Sequence, residues 1–150
     1  MKKEKNKILF VLLCFSNVML GQMQTKTDTI LCLGKNVIVE YPSISRTNIV
    51  NYEEGYFKTI NSILDTVVMS IHCGRMVNLP LTNMADKTIS STFVLGDDIR
   101  SMRGYSILKG RKKYFREDNY FKYGITIAYE NVEERDLIYY EYFFNDIKIW

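Results

Sequence analysis

Gly55-Tyr-Phe-Lys-Thr-Ile-Asn-Ser-Ile-Leu-Asp-Thr-Val-Val-Met-Ser-Ile-His-Cys-Gly74 is the stretch on which the fold class turns. Phe57, Ile60, Leu64, Val67 or Val68 and Ile71 recur at helical spacing, with Gly74 placed to end a helix. Yet Thr59, Ile60, Ile63, Thr66, Val67, Val68 and Ile71 are all β-branched, and crowding at χ1 suits such side chains to strands. Asn61-Ser62 and Asp65 put turn chemistry in the middle. Two strands joined by a turn explain the branching and the polar centre together, so the segment is expected to be a hairpin.

Strand signals continue on both sides. Asn36–Tyr41 is rich in β-branched residues and stops at Pro42. Gln22–Thr29 is polar and expected to fray, and Ser43–Asn51 to form a loop or short turn. Val77–Leu81 ends a strand or starts a loop at Pro80, and Ile89–Leu95 is a strand closed by Gly96-Asp97-Asp98. Ile99–Leu108 and Lys112–Arg116 form a second hairpin around Lys109-Gly110-Arg111. Gly124 introduces Ile-Thr-Ile-Ala-Tyr, an alternating strand that closes Tyr120–Tyr129.

The last segment behaves differently. Asn131 and Glu134 have capping-box spacing, and Glu133, Glu134 and Asp136 suit the positive end of a helix. Leu137, Tyr140, Phe144 and Ile147 then share a helical face, although Ile138-Tyr140-Tyr142-Phe144 also alternates as a strand does. A C-terminal helix is expected. The fold class is α+β: a mostly antiparallel β-sheet with a C-terminal helix packed on one face.

The other end of the chain gives an address. Lys2, Lys3, Lys5 and Lys7 precede an apolar run, Ile8–Phe15, and a weaker patch, Val18–Leu20, before Gly21-Gln22. That is the anatomy of a secretory signal peptide, and it is too short for a membrane-spanning helix. It resembles the signal segments of Gram-negative exported proteins that end in Gly-Gln or Ala-Gln. Residues 1–21 are expected to be removed, with Ser16 as an alternative cut, leaving 22–150 as one exported domain in the periplasm or outside the cell. The alternative is a lipid anchor on Cys14, after Val11-Leu12-Leu13, where Leu13 is a poor fit to a lipoprotein box.

Trimming changes the charge balance. The full chain has 20 Lys and Arg against 17 Asp and Glu. Residues 1–21 hold four Lys and one Glu, so 16 of each sign remain. A neutral domain has no global pull toward nucleic acid or anionic membrane, and no membrane span is expected in it. Eleven Tyr and eight Phe make the full chain unusually aromatic. Cys32 and Cys73 are the cysteines left, and an oxidising compartment suggests one disulfide between them. Two buried free thiols are the alternative.

Catalytic signatures are sparse. His72 is the sole histidine, and in a strand it points away from its neighbour Cys73, so a structural role is expected. One His and two Cys do not make a zinc site, and no metal or cofactor is expected. The acid pairs Glu53-Glu54, Asp97-Asp98, Glu117-Asp118 and Glu133-Glu134 are assigned to turns and helix starts.

Charge is distributed less evenly. Seven basic residues lie between Arg100 and Arg116 with no acid among them, interleaved by Tyr105, Tyr114 and Phe115. From Glu130 to Asp146 there are six acids against Arg135 alone. The functional expectation is a non-enzymatic binding domain, of inhibitor or immunity type, gripping an acidic protein surface through Arg103, Tyr105, Arg111, Lys113, Tyr114 and Arg116. The bland alternative is a solvated hairpin whose charges are offset by the acidic segment. A small-ligand carrier with an aromatic pocket and, third, a carboxylate-dependent hydrolase complete the alternatives.

Overall fold

The computed structural model describes residues 24–74, 86–94 and 97–150. The expectations for residues 1–21, for Cys14 and for Val77–Leu81 lie outside them. Among the described residues ten strands form two antiparallel sheets. The small sheet holds β1 (Thr25–Cys32), β2 (Lys35–Pro42) and β10 (Lys148–Ile149) in the order β1-β2-β10. The large sheet holds β3 (Ser45–Tyr52), β4 (Gly55–Ser62), β5 (Val68–Gly74), β6 (Asp86–Val94), β7 (Asp97–Leu108), β8 (Arg111–Tyr120) and β9 (Ile125–Val132). Their spatial order is β3-β4-β5-β9-β8-β7-β6. One helix, α1 (Leu137–Asn145), follows a single 3-10 turn at Glu134–Asp136. The fold is α+β, and no helix among the described residues is long and apolar enough to cross a membrane.

The deciding stretch is a hairpin, β4–β5. Ser62 N–H donates to the Val67 carbonyl at 3.0 Å, and Asp65 Oδ1 accepts from Val67 N–H at 2.8 Å. The turn thus uses the polar centre of the segment, as β-branched flanks require.

Alternation along the strands places the core between the two sheets. β2 contributes Val37, Val39 and Tyr41; β5 Met69, Ile71 and Cys73; β9 Ile125, Ile127 and Tyr129. α1 completes it with Tyr140, Phe143 and Phe144. Phe144 meets the Tyr129 ring edge-on, 4.9 Å between centroids, a favourable quadrupole geometry. The Cys32–Cys73 disulfide ties the end of β1 to β5 with Cα atoms 5.6 Å apart, so it staples one sheet to the other. Lys58, buried on β4, makes a second tie through an ion pair with Asp28 of β1. Burial pushes the Asp28 carboxyl upward, but the hydrogen bond and charge of Lys58 outweigh it and hold the group below its ordinary value.

Three expectations need correction. Of Gln22–Thr29, the part from Thr25 does not fray: β1 begins there and pairs with β2 along its whole length. Ser43–Asn51 is not a loop, because Ser45–Tyr52 is a strand paired with β4. Both are edge strands: β3 is exposed along nearly all its length and carries no buried alternation, and β1 alternates only from Asp28 to Cys32, past the polar start that suggested fraying. The capping box does not form either. Asn131 still belongs to β9, with φ of 65°, and α1 starts six residues later without a side-chain cap. Pairing of Val132 with Tyr114 keeps the chain in the sheet past the proposed cap.

Candidate functional site

The basic run folds into the hairpin β7–β8, turned by Lys109 and Gly110 with φ of 49° and 75°. Two positive φ values match the right-handed twist of the flanking strands, which favours a tight two-residue turn. β6 pairs with β7 only from Tyr105 onward toward its start, and β9 pairs with β8 only as far as Tyr114. Residues 106–113 therefore leave the sheet as a two-stranded arm about 10 Å long, with no described strand beside it.

Charges at the outer end of this arm are largely free. Ile107 is 60% and Leu108 44% exposed, flanked by exposed Lys109, Arg111 and Lys112. Arg111 reaches Glu133 only at 3.9 Å, with most of its side chain in solvent. Lys112 lies 4.4 Å above the Tyr105 ring, which in turn packs on Tyr114 at 6.1 Å. A cation over an aromatic face restrains the Lys without neutralising it.

Toward the sheet the same hairpin is internally paired. Lys113 bonds Glu133 at 2.9 Å, and Arg103 approaches Glu141 of α1 at 3.3 Å. Arg116 is buried, 5% exposed. Its Nε and Nη2 donate to Asp118, while Nη1 donates to Glu141 at 2.7 Å and Asn145 at 3.0 Å. Burial opposes its charge, but Asp118 and Glu141 more than compensate and raise its pKa above the ordinary value. Asp118 also accepts a hydrogen bond from Ser101, and Glu141 accepts one from Tyr129 at 2.6 Å. Burial and then Glu141 push the Tyr129 phenol well above its usual range. This network fixes α1 to the sheet.

All six predicted residues thus belong to one strand pair, in register as Arg103↔Arg116 and Tyr105↔Tyr114. They divide by depth. Arg111 is open, Tyr105 and Tyr114 are half-buried, Arg103 and Lys113 are paired, and Arg116 lies inside the fold, so Arg116 cannot act as a surface contact. Ile107, Leu108, Lys109 and Lys112 were missing from the predicted set. The available signal was an adjacent aliphatic pair beside a Lys-Gly turn, an odd placement for a strand with one buried face.

Glu117-Asp118 needs a second correction, since it marks no turn. It lies in the middle of β8, which is buried on both faces from Phe115 to Asn119. Asp118 faces the core with Arg116. On the opposite face Thr126 donates to Asn119 at 2.7 Å and Asn119 to Glu117 at 3.0 Å. The two carboxylates point to opposite sides of the sheet and share no cleft.

His72 Nε2 lies within hydrogen-bond reach of the Tyr52 hydroxyl, their rings stacked with centroids 5.7 Å apart. Burial lowers the His72 pKa. Cys73 is tied up in the disulfide and offers no thiol. Among the described residues no cluster of three or more His, Cys, Asp or Glu is placed to hold a metal. A recess of about 380 Å³ is lined by Gln24, Pro42, Ser43, Ile44, Ser62, Leu64, Asp65 and one aromatic, Tyr140.

Compared with known proteins, this chain matches no family model, no curated protein and no solved structure.

Proposed function

We propose that this chain is a small exported, non-enzymatic protein-binding module, of inhibitor or immunity type, that grips an acidic partner with the free arm of β7–β8. The observation that supports it is the composition of the arm's end: Ile107 and Leu108 bare in solvent within a ring of Lys109, Arg111 and Lys112. Each aliphatic side chain is already partly covered, and completing its burial is worth about 1–2 kcal/mol, which supplies affinity. The cations steer encounter and select an acidic rim. The tight turn holds both groups before binding, so little order has to be gained on contact. Export fits the N-terminal signal anatomy and a disulfide joining the two sheets.

A photo-crosslinking residue placed at Leu108, in protein passing through the envelope of a Gram-negative host, tests this. A discrete crosslinked partner is expected, lost when Arg111 and Lys112 are changed to Ser. The same crosslinker at the exposed Leu33, beside Gly124 at the opposite end of β9 from the arm, should not capture it. Identical products from both positions, or products indifferent to the charge removal, would sink the proposal.

A further inference from the structure

We propose that two copies of this chain associate by pairing their β3 strands antiparallel, joining two large sheets across a two-fold axis. β3 is an edge of the large sheet, and its eight residues are exposed except for the half-buried Ser45. Ile49 and Val50 are each 54% exposed. The strand has no Pro, no Lys and no register break against β4, and its single charge is Arg46. Edge strands are ordinarily protected by such devices or by a cover, and among the described residues β3 has only the one charge of Arg46.

Hydrogen-bond phase decides which groups face outward. Ile63 N–H donates to the Ile44 carbonyl at 3.3 Å, in the same register that pairs Ser45 with Ser62. Ser62 N–H donates to Val67, which gives the complementary phase on the β5 side. Bonded pairs alternate in an antiparallel ladder, so Arg46, Asn48, Val50 and Tyr52 bond to β4. Thr47, Ile49 and Asn51 then present their backbone N–H and C=O groups to solvent.

Charge selects both the partner and the direction. Arg46 sits at one end of β3, and Glu53-Glu54 form the turn at the other; all three are exposed, and none joins an ion pair among the described residues. Parallel pairing would set Arg46 beside its own copy. Antiparallel pairing about Ile49 sets Ile49 opposite Ile49 and Thr47 opposite Asn51, using the outward groups. It also sets Arg46 opposite Tyr52 and next to the Glu53-Glu54 turn, twice by symmetry. The strand is therefore self-complementary in backbone, apolar contact and charge, as an isologous interface requires. β3 and the β7–β8 arm lie toward opposite ends of the sheet order, so this inference stands apart from the function proposed above.

Sedimentation of protein recovered from cells expressing the full chain, from about 5 µM to about 500 µM, covers the range of small transient interfaces. A concentration-dependent dimer is expected. Ile49→Pro removes an outward N–H without touching the β4 ladder, and should weaken association at least tenfold while circular dichroism stays unchanged. If that variant does not fold, charge reversal carries the test. Arg46→Glu and the double change Glu53→Lys with Glu54→Lys should each weaken association about tenfold, and their combination should restore it, since close opposite charges govern such contacts. A monomer at all concentrations overturns the proposal, as does a dimer indifferent to these changes or charge reversals that fail to compensate.

Discussion

The two ends of the β7–β8 hairpin share one run of basic sequence and do opposite things. At the sheet end Arg116 is enclosed by Asp118, Glu141, Asn145 and the Phe144 ring, and its charge holds α1 in place. At the free end Arg111 keeps 78% of its side chain in solvent and has a single carboxylate at the limit of contact. A count of positive charges treats these residues alike. The difference arises from the ladder: β9 and β6 flank the hairpin only up to Tyr114 and Tyr105, so among the described residues the cations beyond that level have Glu133 as their one ion-pair partner.

The contrast makes graded predictions. Arg116→Met should cost about 3–5 kcal/mol, because it leaves buried Asp118 and half-buried Glu141 facing a lost partner. Arg111→Met should change stability by less than about 0.5 kcal/mol, as exposed pairs do. Urea unfolding of both variants checks this, and equal losses would erase the distinction between the two ends. Cys32→Ala with Cys73→Ala opens a bridge of sequence separation 41. The loop-entropy model puts the loss at about 4 kcal/mol, less any structure left in the unfolded chain, and the arm should keep its partner.

Ile107→Ser with Leu108→Ser reverses that pattern. Partner affinity should fall about 100-fold, the scale of a central interface anchor, with no fall in the unfolding midpoint. The smallest effect concerns neither end. Burial lowers the His72 pKa from 6.5, so the folded protein favours the neutral ring. Its contribution is complete above pH 6.5 and declines as the pH falls through that value toward the lower folded one. His72→Gln should flatten this acid-side slope in thermal unfolding between about pH 7 and pH 5 and leave binding at neutral pH unchanged.

Much of the framework was legible because it rests on local chemistry. β-branched flanks and a polar centre identified β4–β5, and Lys109-Gly110 located the β7–β8 turn. The start of α1 was misplaced because Asn131 and Glu134 have cap spacing, while strand pairing at Val132 overrides it. β3 was missed since an exposed edge strand need not alternate, and β1 because its first half, Thr25–Thr29, is polar and its alternation begins only at Asp28. The candidate site was half legible. The strand pair and its charge were visible, but nothing in Arg116-Glu117-Asp118-Asn119 announces a segment buried on both sides. Its burial depends on Glu141 and Asn145 of α1 on one face and Thr126 of β9 on the other.

The sequence by itself determined the α+β class, the central hairpin, the basic hairpin and the pair of cysteines, because propensity, turn residues and charge act between near neighbours. Only the tertiary structure decided that these cysteines meet, that Arg116 is internal, that Arg111 stays exposed and that β3 lies at an edge. Burial and pairing are set by which strands become neighbours, and those contacts join residues far apart in the chain.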